Sequence, residues 1–320
     1  MHEATNSGLW LVLTGLLFTG VRLAVPLLLA ALGETICEKS GIINVGIEGM
    51  MLSGALAGFS ASCALHSAFG GALAGAGAGI ALAALFATLS IKMAADQVVV
   101  GTAINILALG LTGVFFRSQP QLNNATATAF TPILIPALHH LPAKFTLAAR
   151  LGSALFEQNA LGWLAWALVP VFWYFLYRTR SGLRLRAVGE YPAAAEAAGV
   201  RVNVVRVCAI LCGGALAGLA GAYLSIGYTN GFVENMSAGR GFIALAVVIL
   251  GRWNPLGVAA AALLFGLASA LQFQFQATST HFPYQFFLAL PYLLTLLALL
   301  LRSRLTTTAP AALGEAYHRG

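Results

Sequence analysis

Repeated apolar runs of about twenty residues constrain this chain most, because a stretch that long and that poor in charge crosses a hydrocarbon core as one helix. They fall at 8–32, 46–66, 70–91, 97–116, 161–177, 204–227, 240–252, 255–275 and 284–301 of the 320 residues. The seventh is too short for a full crossing and reads as a broken or tilted helix. The runs are continuous rather than alternating, which argues against a β-barrel. Only 8% of residues are charged, a third of the roughly one quarter usual in soluble domains. With 59% hydrophobic residues and a mean hydropathy of +0.85, a soluble enzyme, a disordered chain and a disulfide scaffold are all excluded. The expected fold class is an all-α polytopic membrane protein, one domain over 1–320 with about nine (eight to ten) transmembrane segments.

Charge then sets orientation. The net charge of +7 would point to nucleic acid in a soluble protein, but in a membrane protein its distribution carries the meaning. The stretch around 178–203 holds Arg178, Arg180, Arg184, Arg186 and Arg201, with Arg206 just beyond, and the 303–320 tail adds Arg304 and Arg319 beside Arg302. Placing both inside also puts Lys39, Lys92 and Arg252 there, twelve basic residues against four outside: Arg117, Lys144, Arg150 and Arg240. The positive-inside rule therefore predicts an external N-terminus, an external 117–160 loop and a cytoplasmic C-terminus. Met1-His2-Glu3 lacks the basic start of a cleavable signal, so the first apolar run is expected to stay in the protein.

One phrase occurs three times, at Gly54–Gly58, Gly71–Gly75 and Gly214–Gly218, each reading Gly-Ala-Leu-Ala-Gly. Glycines four apart make a flat stripe on which helices pack closely by van der Waals contact. Gly75, Gly77 and Gly79 superficially look like a phosphate loop, but they lie inside a span without strand or turn. Cys208 and Cys212, one turn apart with no histidine near, read as small packing residues, and Cys37 and Cys63 form no CxxC.

No catalytic set is visible. The six histidines are scattered, carboxylates are not paired, and Lys39-Ser40 follows Glu38 rather than the glycine a P-loop needs. No cofactor or metal is expected in this chain. Arg22 and Glu48 are the candidates for functional charge within the membrane, too few to favour ion coupling. Neutral polar residues, Asn44, Gln97, Thr102 and Asn105, stand with Glu48 as candidates for a passage that takes a polar, largely uncharged solute. Hydrogen bonding between helices is an equally good reading of each one taken alone.

The basic loop contains Leu185-Arg-Ala-Val-Gly-Glu-Tyr-Pro-Ala-Ala-Ala-Glu-Ala-Ala-Gly-Val200. Gly189 is expected to end one element, Pro192 to begin a short helix, Ala193 to Ala198 to form it, and Gly199 to stop it. Such a rigid, capped minihelix looks built to fit a groove.

Arg186–Gly199 resembles the coupling loop of ABC importer permeases of the ribose, branched-chain amino acid and nucleoside group. Gly41-Ile-Ile-Asn-Val-Gly-Ile-Glu-Gly-Met-Met51 resembles the signature after the first span in permeases paired with basic-membrane-protein-type binding lipoproteins, and Gly241–Gly257 resembles a late segment of the wider group. The Gly-Ile-Glu-Gly-Met-Met form and the length are similar to the shorter of two partner permeases in nucleoside importers.

The resemblance implies a vitamin B12-importer-like (type II) permease fold in a bacterial plasma (inner) membrane. It also implies a heterodimer with a sister permease, a cytoplasmic ABC ATPase, often one tandem chain, that binds the ATP and Mg, and an extracytoplasmic substrate-binding lipoprotein. Gly189, Glu190, Pro192, Ala193, Glu196, Ala197 and Gly199 are then the residues expected to meet the ATPase. Tyr191 stands where the group usually has a polar residue. The function so implied is the membrane half of an ATP-driven nucleoside importer, itself no enzyme. The alternatives are a simple sugar or a riboflavin-like vitamin as cargo, or a secondary carrier working alone.

Overall fold

The computed structural model describes residues 2–122, 125–133, 152, 157–278, 289, 293, 296, 300, 309–315 and 317. Among them every regular element is a helix. The first, α1, runs unbroken over His2–Lys39 with Pro26 inside it, seven residues past the apolar stretch 8–32. Hydropathy falls at Glu34, but nothing from Gly33 to Lys39 breaks a helix, and a left-handed Gly41 (φ +90°) follows its end. The extension carries Glu34 and Glu38 one turn apart on one face, buried at 0% and 3% exposure. Two further carboxylates thus join Arg22 and Glu48 in the helical bundle, because apolar stretches mark where a helix is lipid-compatible and not where it ends.

Helix α2 spans Ile47–Leu65. Ser67 caps α3, Ala68–Ala87, by accepting from Gly70 N–H, and a π turn over Thr88–Lys92 extends it. Asp96 caps α4, Gln97–Ser118, by accepting from the N–H groups of Val98 and Val99. A short 3₁₀ turn follows at Pro120–Leu122. Asn159 caps α5, Ala160–Arg178, and Thr179 caps α6, Arg180–Glu190. After the six-residue α7, Pro192–Ala197, come α8 at Val202–Ala222 with its π extension Tyr223–Tyr228, α9 at Arg240–Leu250 and α10 at Pro255–Thr278.

Among the described residues six helices are long and apolar enough to cross a membrane: Leu13–Lys39, Ala68–Lys92, Gln97–Ser118, Ala160–Arg178, Val202–Tyr228 and Pro255–Gln276. Helix α2, with Glu48 and three serines among its 19 residues, is not among them. Helix α9, with 11 residues, is too short, as its sequence predicts. The expected segment 284–301 and most of the 134–156 stretch lie outside the described residues.

Helix α1 packs along α10 and α8, and α8 lies in turn against α2 and α3. The three Gly-Ala-Leu-Ala-Gly phrases meet in that second group. A Cβ built on Gly75 would stand 2.9 Å from the Gly54 carbonyl oxygen and 3.1 Å from that of Gly218, so one glycine from each repeat closes on the other two. In lipid no hydrophobic force drives helices together, and this backbone-to-backbone approach supplies the contact instead.

The ends of the bundle differ. At one end α4 is tied to the loop after α8 by Arg117, whose Nε and Nη2 donate to the two Glu234 oxygens at 2.8 and 2.7 Å. The Arg117 guanidinium holds the Glu234 carboxyl below the usual carboxylate range. Deeper at this end, Arg22 donates to the Gly227 carbonyl at 3.4 Å and lies between the rings of Phe18 and Tyr228, 5.4 and 5.5 Å from their centroids. The other end gathers the α1 terminus, the 178–203 stretch and the tail, described next.

Candidate coupling surface and translocation residues

The stretch read as a loop over 178–203 is mostly helical. Its first element, α6, ends at Glu190, one residue beyond the Gly189 expected to stop it. Gly189 instead serves close approach: a Cβ there would be 3.3 Å from Gly41 N and in collision with the Lys39 carbonyl oxygen. Helix α7 follows the sequence closely. Pro192 occupies its first turn, and Gly199 ends it at φ +83°, a left-handed conformation that side chains strain to adopt. Ala195 is 5% exposed and packs with Val188 and Val202, while Tyr191, Ala193, Ala194, Ala197 and Ala198 are exposed. The face left open is thus small and apolar, with Tyr191 at its edge.

Neither glutamate of this stretch belongs to that open face alone. Glu190 accepts from Ala311 N–H at 3.2 Å, and Glu196 accepts from the Tyr317 hydroxyl. Both partners are tail residues. The same tail segment donates from Ala312 N–H to the Gly189 carbonyl at 2.9 Å and from Gly314 N–H to the Gly41 carbonyl at 3.0 Å. Arg206, 2% exposed, completes the cluster: its Nε donates to the Ser40 carbonyl at 3.2 Å and its Nη1 to the Glu315 carbonyl at 3.1 Å. Its sequence position reads only as a charge anchor; the tail contacts give it a second role.

The candidate passage residues surround the connection from α1 to α2. That connection turns back along α1, because Asn44 N–H donates to Glu34 Oε1 at 2.8 Å. Asn44 is fully buried, with its Nδ2 on Met50 Sδ at 3.4 Å. Gln97 Oε1 accepts from Ile43 N–H at 2.8 Å. Asn105 holds both sides of the α2 start, accepting from Gly49 N–H at 2.8 Å and donating to the Val45 carbonyl at 2.9 Å. Glu48 accepts from Gly239 N–H at 2.8 Å and Gly241 N–H at 2.6 Å. Its carboxylate therefore sits in the first turn of α2 and at the start of α9, where two helix dipoles both favour negative charge. Thr102 is apart from the others. It lies on the exposed face of α4 beside Val98, Val99 and Ile106, with its hydroxyl bonded to the Val98 carbonyl at 2.6 Å.

Four of the five residues thus share one neighbourhood, and the side chains of Glu48, Gln97 and Asn105 hold backbone there. Asn105→Leu leaves Gly49 N–H and the Val45 carbonyl without these partners, so it is expected to cost about 1–3 kcal/mol of stability. A thermal-unfolding midpoint measured on the purified protein checks this. An unchanged midpoint with reduced transport would instead assign Asn105 to the passage alone.

Trp253 is a functional-end residue that sequence reasoning did not single out. It is 2% exposed, and its indole N–H donates to Glu38 Oε2. Through it, and through Glu48, the 241–257 segment is bonded to the end of α1 and the start of α2. The three segments that carry the family resemblance thereby converge on residues 34–51. Among the described residues no group of three His, Cys, Asp or Glu could hold a metal ion, and all four cysteines are free, Cys208 exposed and Cys212 half-buried.

The family described as branched-chain amino acid transport system, permease component, matches residues 16–299. TsgC13 of Haloferax volcanii, assigned provisionally as a glucose ABC transporter permease, is 41% identical over 83% of this chain and 79% of its own length. The guanosine ABC transporter permease NupQ of Bacillus subtilis is 34% identical over 86% of this chain and 88% of its own. The nucleoside ABC transporter permease NupC of Lactococcus lactis is 35% identical over 77% and 78%. A second guanosine permease of the same Bacillus, NupP, is 28% identical over 77% of this chain and 70% of its own length. No solved structure matches at the same stringency.

Proposed function

This chain belongs to the family of permease components of branched-chain amino acid transport systems, and from that premise we propose that it is the transmembrane subunit of an ATP-driven ABC importer for nucleosides. The observation that carries the cargo is the similarity to NupQ and NupC, which extends over more than three quarters of the chain in each case. A sugar is the second reading, favoured by the 41% identity to TsgC13.

The remaining parts of the machine are part of the same proposal. The chain forms half of a translocation pathway with a distinct sister permease, a pairing supported by the resemblance of this one chain to both NupQ and NupP. A separate ABC ATPase binds ATP and Mg, and a substrate-binding lipoprotein delivers solute on the other side. The fold is of the vitamin B12-importer-like type with about nine spans in the bacterial inner membrane, the coupling end cytoplasmic and the N-terminus outside. Seven residues, Gly189, Glu190, Pro192, Ala193, Glu196, Ala197 and Gly199, form or frame the ATPase-docking surface, and the apolar exposed face of α7 supports that role. Asn44, Glu48, Gln97, Thr102 and Asn105 line or flank the passage, a role supported for all but Thr102 by their clustering where α2, α4 and α9 begin.

Uptake in the native host tests the cargo. Removal of this chain is expected to abolish high-affinity uptake of radiolabelled guanosine and to leave glucose uptake unchanged. Loss of glucose uptake with guanosine uptake intact would replace the nucleoside reading with the sugar one.

A further inference from the structure

The C-terminal tail touches more of the coupling end than any docking loop requires. Between Ala311 and Tyr317 it bonds to Gly41 beyond the end of α1, to Gly189 and Glu190 at the end of α6, to Glu196 on α7 and to Arg206 on α8. Four elements separated in sequence are thereby joined by one short strand of backbone. Arg206 sits at the crossing: buried, 6.0 Å from the Tyr317 ring centroid, and bonded both to the Glu315 carbonyl of the tail and to the Ser40 carbonyl of the α1–α2 connection.

We propose that residues 311–315 and Tyr317 form a strap through which displacement of α7 reaches the α1–α2 connection, with Tyr317 and Arg206 as positioning residues for coupling. A six-residue helix has no intrinsic lever arm, and its only buried side chain is Ala195. A further hold is the Tyr317 hydroxyl on Glu196, on the side away from the open alanine face. A push on that face therefore moves the tail, and the tail is bonded directly to Gly41 and, through Arg206, to Ser40. Those two residues begin the connection that leads to Asn44 and Glu48. The proposal rests on α7 being the ATPase-docking element.

Tyr317→Phe removes the hydroxyl and keeps the ring near Arg206. In the reconstituted complex of both permeases, ATPase and binding protein, this variant is expected to assemble normally and to keep basal ATP hydrolysis. Its solute-stimulated hydrolysis and transport should fall about tenfold, the fold-change typical of a hydrogen bond to a charged acceptor. Deletion of 309–320 should abolish stimulation. Normal stimulation in both Tyr317→Phe and the deletion would overturn the strap. So would a parallel loss of assembly and transport in Tyr317→Phe, since the tail would then serve folding alone. If Ala195→Pro also coupled normally, the docking role of α7 would fail with it; if Ala195→Pro uncoupled while Tyr317→Phe did not, only the strap would fail.

Discussion

Valine at Gly218 is expected to prevent the permease from folding. Gly218 is where the three repeats cross. A Cβ there would lie 2.9 Å from the Gly75 carbonyl carbon and 3.1 Å from the Ala76 Cα, in collision with the Gly75 carbonyl oxygen; a Cβ on Gly54 would reach Gly218 itself. The atoms that a Cβ on Gly218 would meet are all backbone of α3, so no side-chain rotation makes room. Overpacking a well-filled site costs about 1–3 kcal/mol when side chains can shift. Here α3 and α8 must separate, which also forfeits the van der Waals contact that holds them in lipid. The expected result is a severe loss of monodisperse protein on size-exclusion chromatography after detergent extraction. Gly77→Val is the control, because a Cβ at Gly77 meets nothing within 4 Å; it should extract like the wild type.

Proline at Ala195 should leave a folded complex that cannot be driven. Ala195 N–H donates to the Tyr191 carbonyl at 3.0 Å, one of the bonds that close α7. Proline removes that donor and its ring clashes with the preceding turn, at a cost of about 3 kcal/mol in a helix interior. The damage is confined to a six-residue element outside the packed spans. Solute-stimulated ATP hydrolysis by the reconstituted complex should fall to the basal rate. Glu196→Gln should be much milder, since its carboxylate meets Tyr317 and the open face of α7 consists of Tyr191 and alanines. Stimulated hydrolysis that survives Ala195→Pro would remove α7 from the coupling path.

What the sequence made legible were features that a short window contains. The glycine repeats announced close packing because their spacing is that of a helix face, and Pro192 and Gly199 announced both ends of α7. Two kinds of feature escaped. The true length of α1 did, because Glu34 and Glu38 end the hydropathy signal while the helix continues. Their burial depends on partners from distant segments, Asn44 N–H and the Trp253 indole. The strap escaped for a different reason. Its bonds from Ala312 to Gly189 and from Gly314 to Gly41 are made by backbone atoms, which every residue possesses. No residue type at 311–314 marks them. For Asn44, Gln97 and Asn105 polarity was legible, but the choice between passage and packing was not, since an amide in an apolar helix serves either.

Reconstitution into proteoliposomes tests most directly whether this permease is moved by ATP hydrolysis on a partner. The chain is assembled with its sister permease and ATPase, the binding protein is supplied on the opposite face, and accumulation of labelled guanosine is followed with and without ATP on the ATPase side. The account predicts uptake against a gradient that requires ATP and disappears when this chain is omitted. Uptake by this chain alone, driven by a proton or sodium gradient and indifferent to ATP, would contradict it.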